Sequence, residues 1–114
     1  MNTDLQNAAE DLETAATLIE GVGWVQGRDL LLVHTPGKAE ARGYCINGAI
    51  TQAIASKLKE DPFQDFYQRH ATAFGAVIKH LGGSPVQWND EPGRTAGEVI
   101  DALKGAAKDI RNEL

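Results

Sequence analysis

The chain has 114 residues, enough for one domain, 1–114, with a modest core; 42% of them are hydrophobic and only 6% aromatic, so Leu, Ile, Val and Ala must fill that core. A single Cys excludes an internal disulfide framework. The formal net charge is -5, and residues 1–20 hold Asp4, Glu10, Asp11, Glu13 and Glu20 without one Lys or Arg, which argues against a surface for nucleic acid.

Thr3-Asp4-Leu5-Gln6 has the form of a capping box, and Leu5, Leu12 and Ile19 recur on one face with Ala8, Ala9, Ala15 and Ala16. This predicts a first helix over about residues 4–20, ended by Gly21 as the left-handed residue after the last turn. Its Ala-rich face can admit a close neighbour, either a partner or a second copy. In Gly21-Val22-Gly23-Trp24-Val25-Gln26-Gly27 the glycines interrupt regular structure, and Trp24 is expected to plug the core edge while its indole N–H finds an acceptor. Asp29 to His34 is a short apolar run, consistent with a buried strand. Thr35-Pro36-Gly37-Lys38 is a turn, after which residues 41–45 could pair back as a hairpin or stay irregular.

A second helix, about 46–59, carries an apolar stripe of Ile46, Ala49, Ile50, Ala53, Ile54 and Leu58. Asp61-Pro62 opens a third, with Asp as cap and Pro in the first turn; its stripe is Phe63, Phe66, Tyr67, Phe74, Val77, Ile78 and Leu81, and Gly82-Gly83 stops it. Ser84 to Trp88 reads as a short extended crossing and Asn89 to Arg94 as a turn. Thr95-Ala96-Gly97-Glu98 is a second capping box, opening a helix lined by Val99, Ile100, Leu103, Ala106 or Ala107, Ile110 and Leu114. The fold class expected is mainly α: a compact four-helix domain with a short β-hairpin or extended insertion between helices 1 and 2.

Two groups of residues could carry chemistry. Cys45 lies near a predicted helix N-terminus, where a thiolate is stabilised. A nucleophile also needs a base and an orienting group, for which His70 or His80 and Asn89 are the candidates. The plainer reading is a packed thiol, since Cys is among the most buried residue types; His70 then edges a packed face and His80 sits at a helix C-terminus that favours a charged imidazolium. The second group is Trp88-Asn89-Asp90-Glu91-Pro92-Gly93-Arg94-Thr95. It is either a turn anchored by Trp88, with Arg94 pairing to Asp90 or Glu98, or a binding loop in which Trp24, Trp88, Asn89, Asp90 and Arg94 meet a ligand or partner. No His pair at i, i+4 and no Cys pair exists, so no metal and no cofactor is expected. No apolar run is long enough to cross a membrane, and no basic and apolar leader precedes the first helix, so a cytoplasmic setting is expected.

Gly23-Trp24-Val25-Gln26-Gly27, Cys45-Ile46-Asn47-Gly48-Ala49-Ile50 and Trp88-Asn89-Asp90-Glu91-Pro92-Gly93-Arg94-Thr95, followed by Glu98-Val99, resemble the landmarks of a small uncharacterised domain family of actinobacteria and their phages, the DUF6197 type. The likeness spans roughly residues 5–112. It implies a single domain in a bacterial or phage-infected cytoplasm, of the accessory or host-interaction kind, and it implies no reaction. Composition and resemblance together favour a protein-binding or regulatory domain without catalytic activity, with a protein partner or a second copy of itself and with neither nucleic acid nor membrane. The alternative is a cysteine-dependent enzyme or small-ligand binder built on Cys45, His70 or His80 and the Asn89–Arg94 loop.

Overall fold

The computed structural model describes residues 3–58 and 65–114. Its order is α1 (Thr3–Val22), β1 (Leu30–Thr35), β2 (Lys38–Tyr44), α2 (Ile46–Leu58), α3 (Phe66–Leu81), α4 (Pro85–Asn89) and α5 (Ala96–Glu113). Four long helices and one hairpin were legible in the sequence; the fifth, single-turn helix α4 was not. Ser84 to Trp88 is not extended, because Ser84 caps the turn by accepting from the Gln87 amide and Pro85 occupies its first position.

Helix α1 buries Ala8, Ala9, Leu12, Ala15, Ala16 and Ile19 against α5, α2 and α3. The Ala face expected to await a partner is therefore covered from within the chain, where small side chains let the helix axes approach. The helix also runs past Gly21. The glycine with positive φ is Gly23, whose amide donates to the Ile19 carbonyl at 3.0 Å. Position 23 needs glycine because β2 passes close by: a Cβ there would lie 2.5 Å from the Arg42 carbonyl oxygen.

Strands β1 and β2 are antiparallel, joined by Pro36-Gly37 between the pair Thr35↔Lys38, and a bulge between Leu31 and Leu32 leaves Arg42 as the extra residue of β2. The expectation of a buried strand is overturned here. β2 ends in buried Gly43 and Tyr44, and Tyr44 exchanges backbone bonds with Gly23 and Val25. β1 packs on β2 and on no helix to a comparable extent, and every β1 residue except Leu31 is exposed.

Helix α2 is the inner rod. Ile46, Ala49, Ile50, Ala53 and Ile54 have no solvent exposure, and each such Ile contributes on the order of 1.5–3 kcal/mol by burial. The proposed start of the third helix at Asp61-Pro62, and Phe63 on its stripe, lie outside the described residues. In the described part, Asp65 caps α3 by accepting from the Tyr67 amide, and Gly82 closes it in the left-handed region, donating to Ile78 at 2.8 Å. Only Ala73 and Val77 of α3 are buried; Tyr67 and Ile78, expected on the packed stripe, face solvent. Part of the work of holding α3 falls to a buried ion pair. Asp11, with no exposure, receives the Arg69 guanidinium on both carboxylate oxygens, at 2.7 and 2.9 Å. Removing one partner from such a pair typically costs about 3–5 kcal/mol.

Helix α5 opens with the capping box read from the sequence: the Thr95 hydroxyl accepts from the Glu98 amide, and the Glu98 carboxylate receives the Thr95 amide. Glu98 is held below the usual carboxylate range, first by its hydrogen bond with Thr95 and then by that with Arg94. Val99, Leu103, Ala106, Ala107 and Ile110 are buried as expected, whereas Leu114 follows the helix and is exposed.

Candidate functional site

Three of the residues singled out in the sequence, Trp24, Cys45 and Asn89, meet at the first turn of α2. A helix N-terminus leaves amides without intrahelical partners, and here the protein supplies a partner for each one traced. The Cys45 amide donates to the Asp29 carbonyl at 3.1 Å, and the Ile46 amide to Asn89 Oδ1 at 3.0 Å. The Gly48 amide donates to Cys45 Sγ at 3.3 Å, so the sulfur stands where a Ser or Asp oxygen usually caps. Gly48 is required for the same contact, since a Cβ there would fall 1.8 Å from the Asp29 carbonyl oxygen.

Asn89 is the hub. It is fully buried, and its Oδ1 accepts from Trp24 Nε1 at 2.7 Å as well as from Ile46. Its Nδ2 donates to the Val25 carbonyl at 3.2 Å and to Asp90 Oδ1 at 3.0 Å. Asp90 Oδ1 also accepts from the Gly27 amide at 2.9 Å, and Gln26 Nε2 donates to the carbonyls of Asn89 and Glu91. One side chain thus joins the Trp24 loop, the α2 terminus and α4, with both amide donors and both acceptor positions in use. The Trp24 indole finds the acceptor it was expected to need.

Arg94 lies over the Trp88 ring, 3.9 Å from its centroid, donates to the Trp88 carbonyl at 2.9 Å, and pairs with Glu98 at 3.1 Å and Glu91 at 3.3 Å. Of the two partners anticipated, Glu98 is taken and Asp90 is not. With its guanidinium engaged on three sides, Arg94 fastens the turn; it is not a free fork for an anion.

The Cys45 set is less concentrated. Cys45 Sγ donates to Asp29 Oδ1 at 3.3 Å; Asn47 Nδ2 donates to the same oxygen at 3.3 Å, and His70 Nε2 meets Asn47 Oδ1 at 2.9 Å. Since the Asn47 amide gives its nitrogen to Asp29, its oxygen faces the ring, and His70 Nε2 carries the proton. His70 therefore reaches Asn47 and not the sulfur. It is stacked between Phe66 and Phe74, and burial lowers its pKa against the opposing pull of Asp29. His80 is bonded at 2.7 Å to Asp109 and lies against Gly105 of α5, where a Cβ would come within 2.6 Å of the ring. Asn89 serves Trp24. Asp29 and Asn47 are the members of this cluster that pattern reading did not single out, and no sequence spacing marks them, because the hairpin brings Asp29 there.

Cys45 is 3% exposed, and its thiol pKa is pushed up to about 11, first by burial and further by Asp29. Gly27, Arg28, Asp29, Cys45, Val86 and Asp90 line a cleft of about 210 Å³. Among the described residues, no cluster of three or more His, Cys, Asp or Glu side chains could hold a metal ion, and no helix is long and apolar enough to cross a membrane.

A family model matches residues 3–109 of this chain. The chain belongs to the family of unknown function DUF6197. No curated protein and no solved structure gave a match. In this DUF6197 domain the Asn89 hub ties together three stretches of the sequence, around Trp24, Cys45 and Trp88.

One further surface went unnoticed in the sequence because its residues were assigned to the core. On β1 of the DUF6197 domain, Leu30 is 38% exposed, Leu32 42% and Val33 39%. Among the described residues, no third strand lies beside β1. Strands at sheet edges are usually guarded by charge, Pro or a bulge. Here the charges Lys38, Glu40 and Arg42 and the bulge are all on β2, and β1 has no guard.

Proposed function

We propose that this DUF6197 domain is a small protein-binding accessory domain without catalytic activity, and that β1 is its binding element. The observation that carries this reading is the exposed apolar edge of β1, where Leu30, Leu32 and Val33 are exposed close together on one strand. Exposed strands of this kind bind by strand addition: main-chain bonds supply affinity, and alternate side chains supply specificity. The setting implied by the family resemblance, a bacterial or phage-infected cytoplasm, is part of the proposal.

The thiol chemistry supports the non-catalytic half. A nucleophilic Cys needs a thiolate near neutral pH, whereas burial and Asp29 hold this proton on the sulfur. Asp29 accepts from the thiol, but a carboxylate is too weak a base by several pH units to remove that proton.

A photo-crosslinking side chain placed at Leu32, compared with one at exposed Lys108 on α5, tests the reading in cells that naturally express the protein. Discrete covalent adducts from position 32 and not from position 108 are expected. The absence of adducts from position 32 would overturn it.

A further inference from the structure

We propose that Asn47 is a site of spontaneous deamidation that the fold holds shut, and that its product breaks the joint between α2 and the base of the hairpin. The proposal does not depend on what β1 binds. Of the five Asn in the chain, Asn2, Asn7, Asn47, Asn89 and Asn112, only Asn47 precedes a Gly. In that dipeptide the following backbone nitrogen reaches the side-chain carbonyl carbon most easily, because no Cβ hinders it. The Gly48 nitrogen attacks Asn47 Cγ. The N–Cγ bond forms, the Cγ–Nδ2 bond breaks, and Nδ2 leaves as ammonia, taking up the proton that the Gly48 amide gives up through solvent. Water then opens the succinimide ring at either carbonyl, giving Asp or isoaspartate. Water is the only co-reactant, and nothing is oxidised or reduced.

Asn-Gly commonly marks a turn, whereas here it lies in the first turn of α2. Three constraints keep the ring from closing. In a helix the side chain leans toward the N-terminus, away from the amide nitrogen that follows it, so closure requires the turn to unwind. The reacting groups are also engaged. The Gly48 amide donates to Cys45 Sγ at 3.3 Å, and the Asn47 carboxamide is held at both ends, by Asp29 Oδ1 at 3.3 Å and by His70 Nε2 at 2.9 Å. Finally, Gly48 is buried against the Asp29 carbonyl, so closely that a Cβ would fall 1.8 Å from its oxygen. Unwinding the turn therefore displaces the hairpin base. Reaction is confined to chains in which the turn has opened, and its rate tracks their population.

The product does not fit the closed joint. Asn47 Nδ2 donates to Asp29; a carboxylate at position 47 has no proton to give and sets a second negative charge in contact with the first. The α2 N-terminus favours an anion, but Asp29 already meets that attraction, and the lost donor and the like charge outweigh it. Isoaspartate also adds a carbon to the main chain just before Gly48, where the Asp29 carbonyl leaves no room. The His70 bond survives, since its Nε2 proton serves a carboxylate as well as a carboxamide. A chain that has once opened and reacted is thus kept from closing again, and the repulsion falls on Asp29, the residue that leads into β1.

Peptide mapping by mass spectrometry, after incubation at mildly alkaline pH with and without urea, tests the lock. The urea-unfolded chain should gain the mass of an amide-to-acid exchange at Asn47, in Asp and isoaspartate forms. The folded chain should do so at least about tenfold more slowly, as an opening free energy of about 1.4 kcal/mol or more requires. Equal rates in the two states, or no gain at Asn47 in urea, would overturn the proposal. Asn47→Asp, which makes one product directly, tests the consequence. It should unfold at a lower urea concentration than the native chain. Asp29→Asn added to it should recover most of that loss, because the amide introduced at position 29 can donate to the carboxylate at 47. A native midpoint for Asn47→Asp, or no recovery in the double variant, would equally overturn it.

Discussion

The first turn of α2 and the hairpin strand β1 lie side by side, with Asp29 bonded to Cys45 between them, yet they are built on opposite principles. At the α2 terminus, polar groups are buried and paired: Asn89 alone satisfies Trp24, Val25, Ile46 and Asp90. On β1, apolar side chains are exposed and the outer backbone edge has no strand beside it among the described residues. A buried polar group that loses its partner destabilises the fold directly, whereas an exposed Leu is nearly neutral for folding and available for contact. The contrast teaches that the most distinctive motif residues of this chain hold its architecture, and that the apolar surface left exposed on the hairpin is made of ordinary Leu and Val.

If that division is right, substitutions at the two regions should separate stability from binding. The largest effect belongs to Asn89→Ala. It leaves the Trp24 indole, the Ile46 amide and the Val25 carbonyl without their partner at a fully buried position, and each such group costs about 1–3 kcal/mol. A loss of about 3 kcal/mol or more in chemical denaturation is expected. A loss under about 1 kcal/mol would mean that the hub is not what joins the Trp24 loop to α4. Gly48→Ala comes next. Its Cβ cannot sit 1.8 Å from the Asp29 carbonyl oxygen, so the hairpin base must move, at a cost of about 1–3 kcal/mol. Faster hydrogen exchange at the Cys45 amide, which donates to that carbonyl, should accompany it.

A smaller effect depends on pH. Cys45 keeps its proton in the folded state up to about pH 11, above the value for a thiol in the unfolded chain. Between about pH 8.5 and 11 the unfolded state binds fewer protons than the native one, so stability falls as pH rises. The contribution lost is on the order of 1–3 kcal/mol, and it is read as the difference in pH dependence between the native protein and Cys45→Ser in urea denaturation. Parallel profiles for the two would show that the thiol is as free to ionise in the fold as outside it.

How far the sequence revealed these regions depended on the range of the interactions. Local signals were legible: the capping box of Thr95 and Glu98, the stop at Gly82, the Pro36-Gly37 turn and the Ile46, Ile50, Ile54 stripe all depend on neighbours within a few residues. The Asn89 bonds to Trp24 and Ile46 were not legible, because they cross 65 and 43 positions of the chain. The Asp11–Arg69 pair escaped for the same reason: on pattern alone Asp11 belongs to an acidic, solvated face, and burial is decided by where α3 crosses α1. The β1 run was misjudged from the opposite side. An apolar run normally predicts burial, and nothing within Leu30–Val33 states that no helix covers it. The single-turn α4 was missed because five residues are too few to show periodicity, although Ser84-Pro85 is a start signal.

The smallest expected effect is the sharpest test of the contrast. Leu32→Ser removes most of a large apolar side chain from β1, and in a protein core such truncation would cost about 2–5 kcal/mol. Leu32 is 42% exposed and its strand packs mainly on β2, so the monomer should lose no more than about 0.5 kcal/mol. Measured by urea denaturation, a midpoint within error of the native value is expected. A loss of about 2 kcal/mol or more in the monomer would place Leu32 in the core after all. The apolar edge would then be part of what holds the fold, like Asn89, and the separation of roles between hairpin and α2 terminus would disappear.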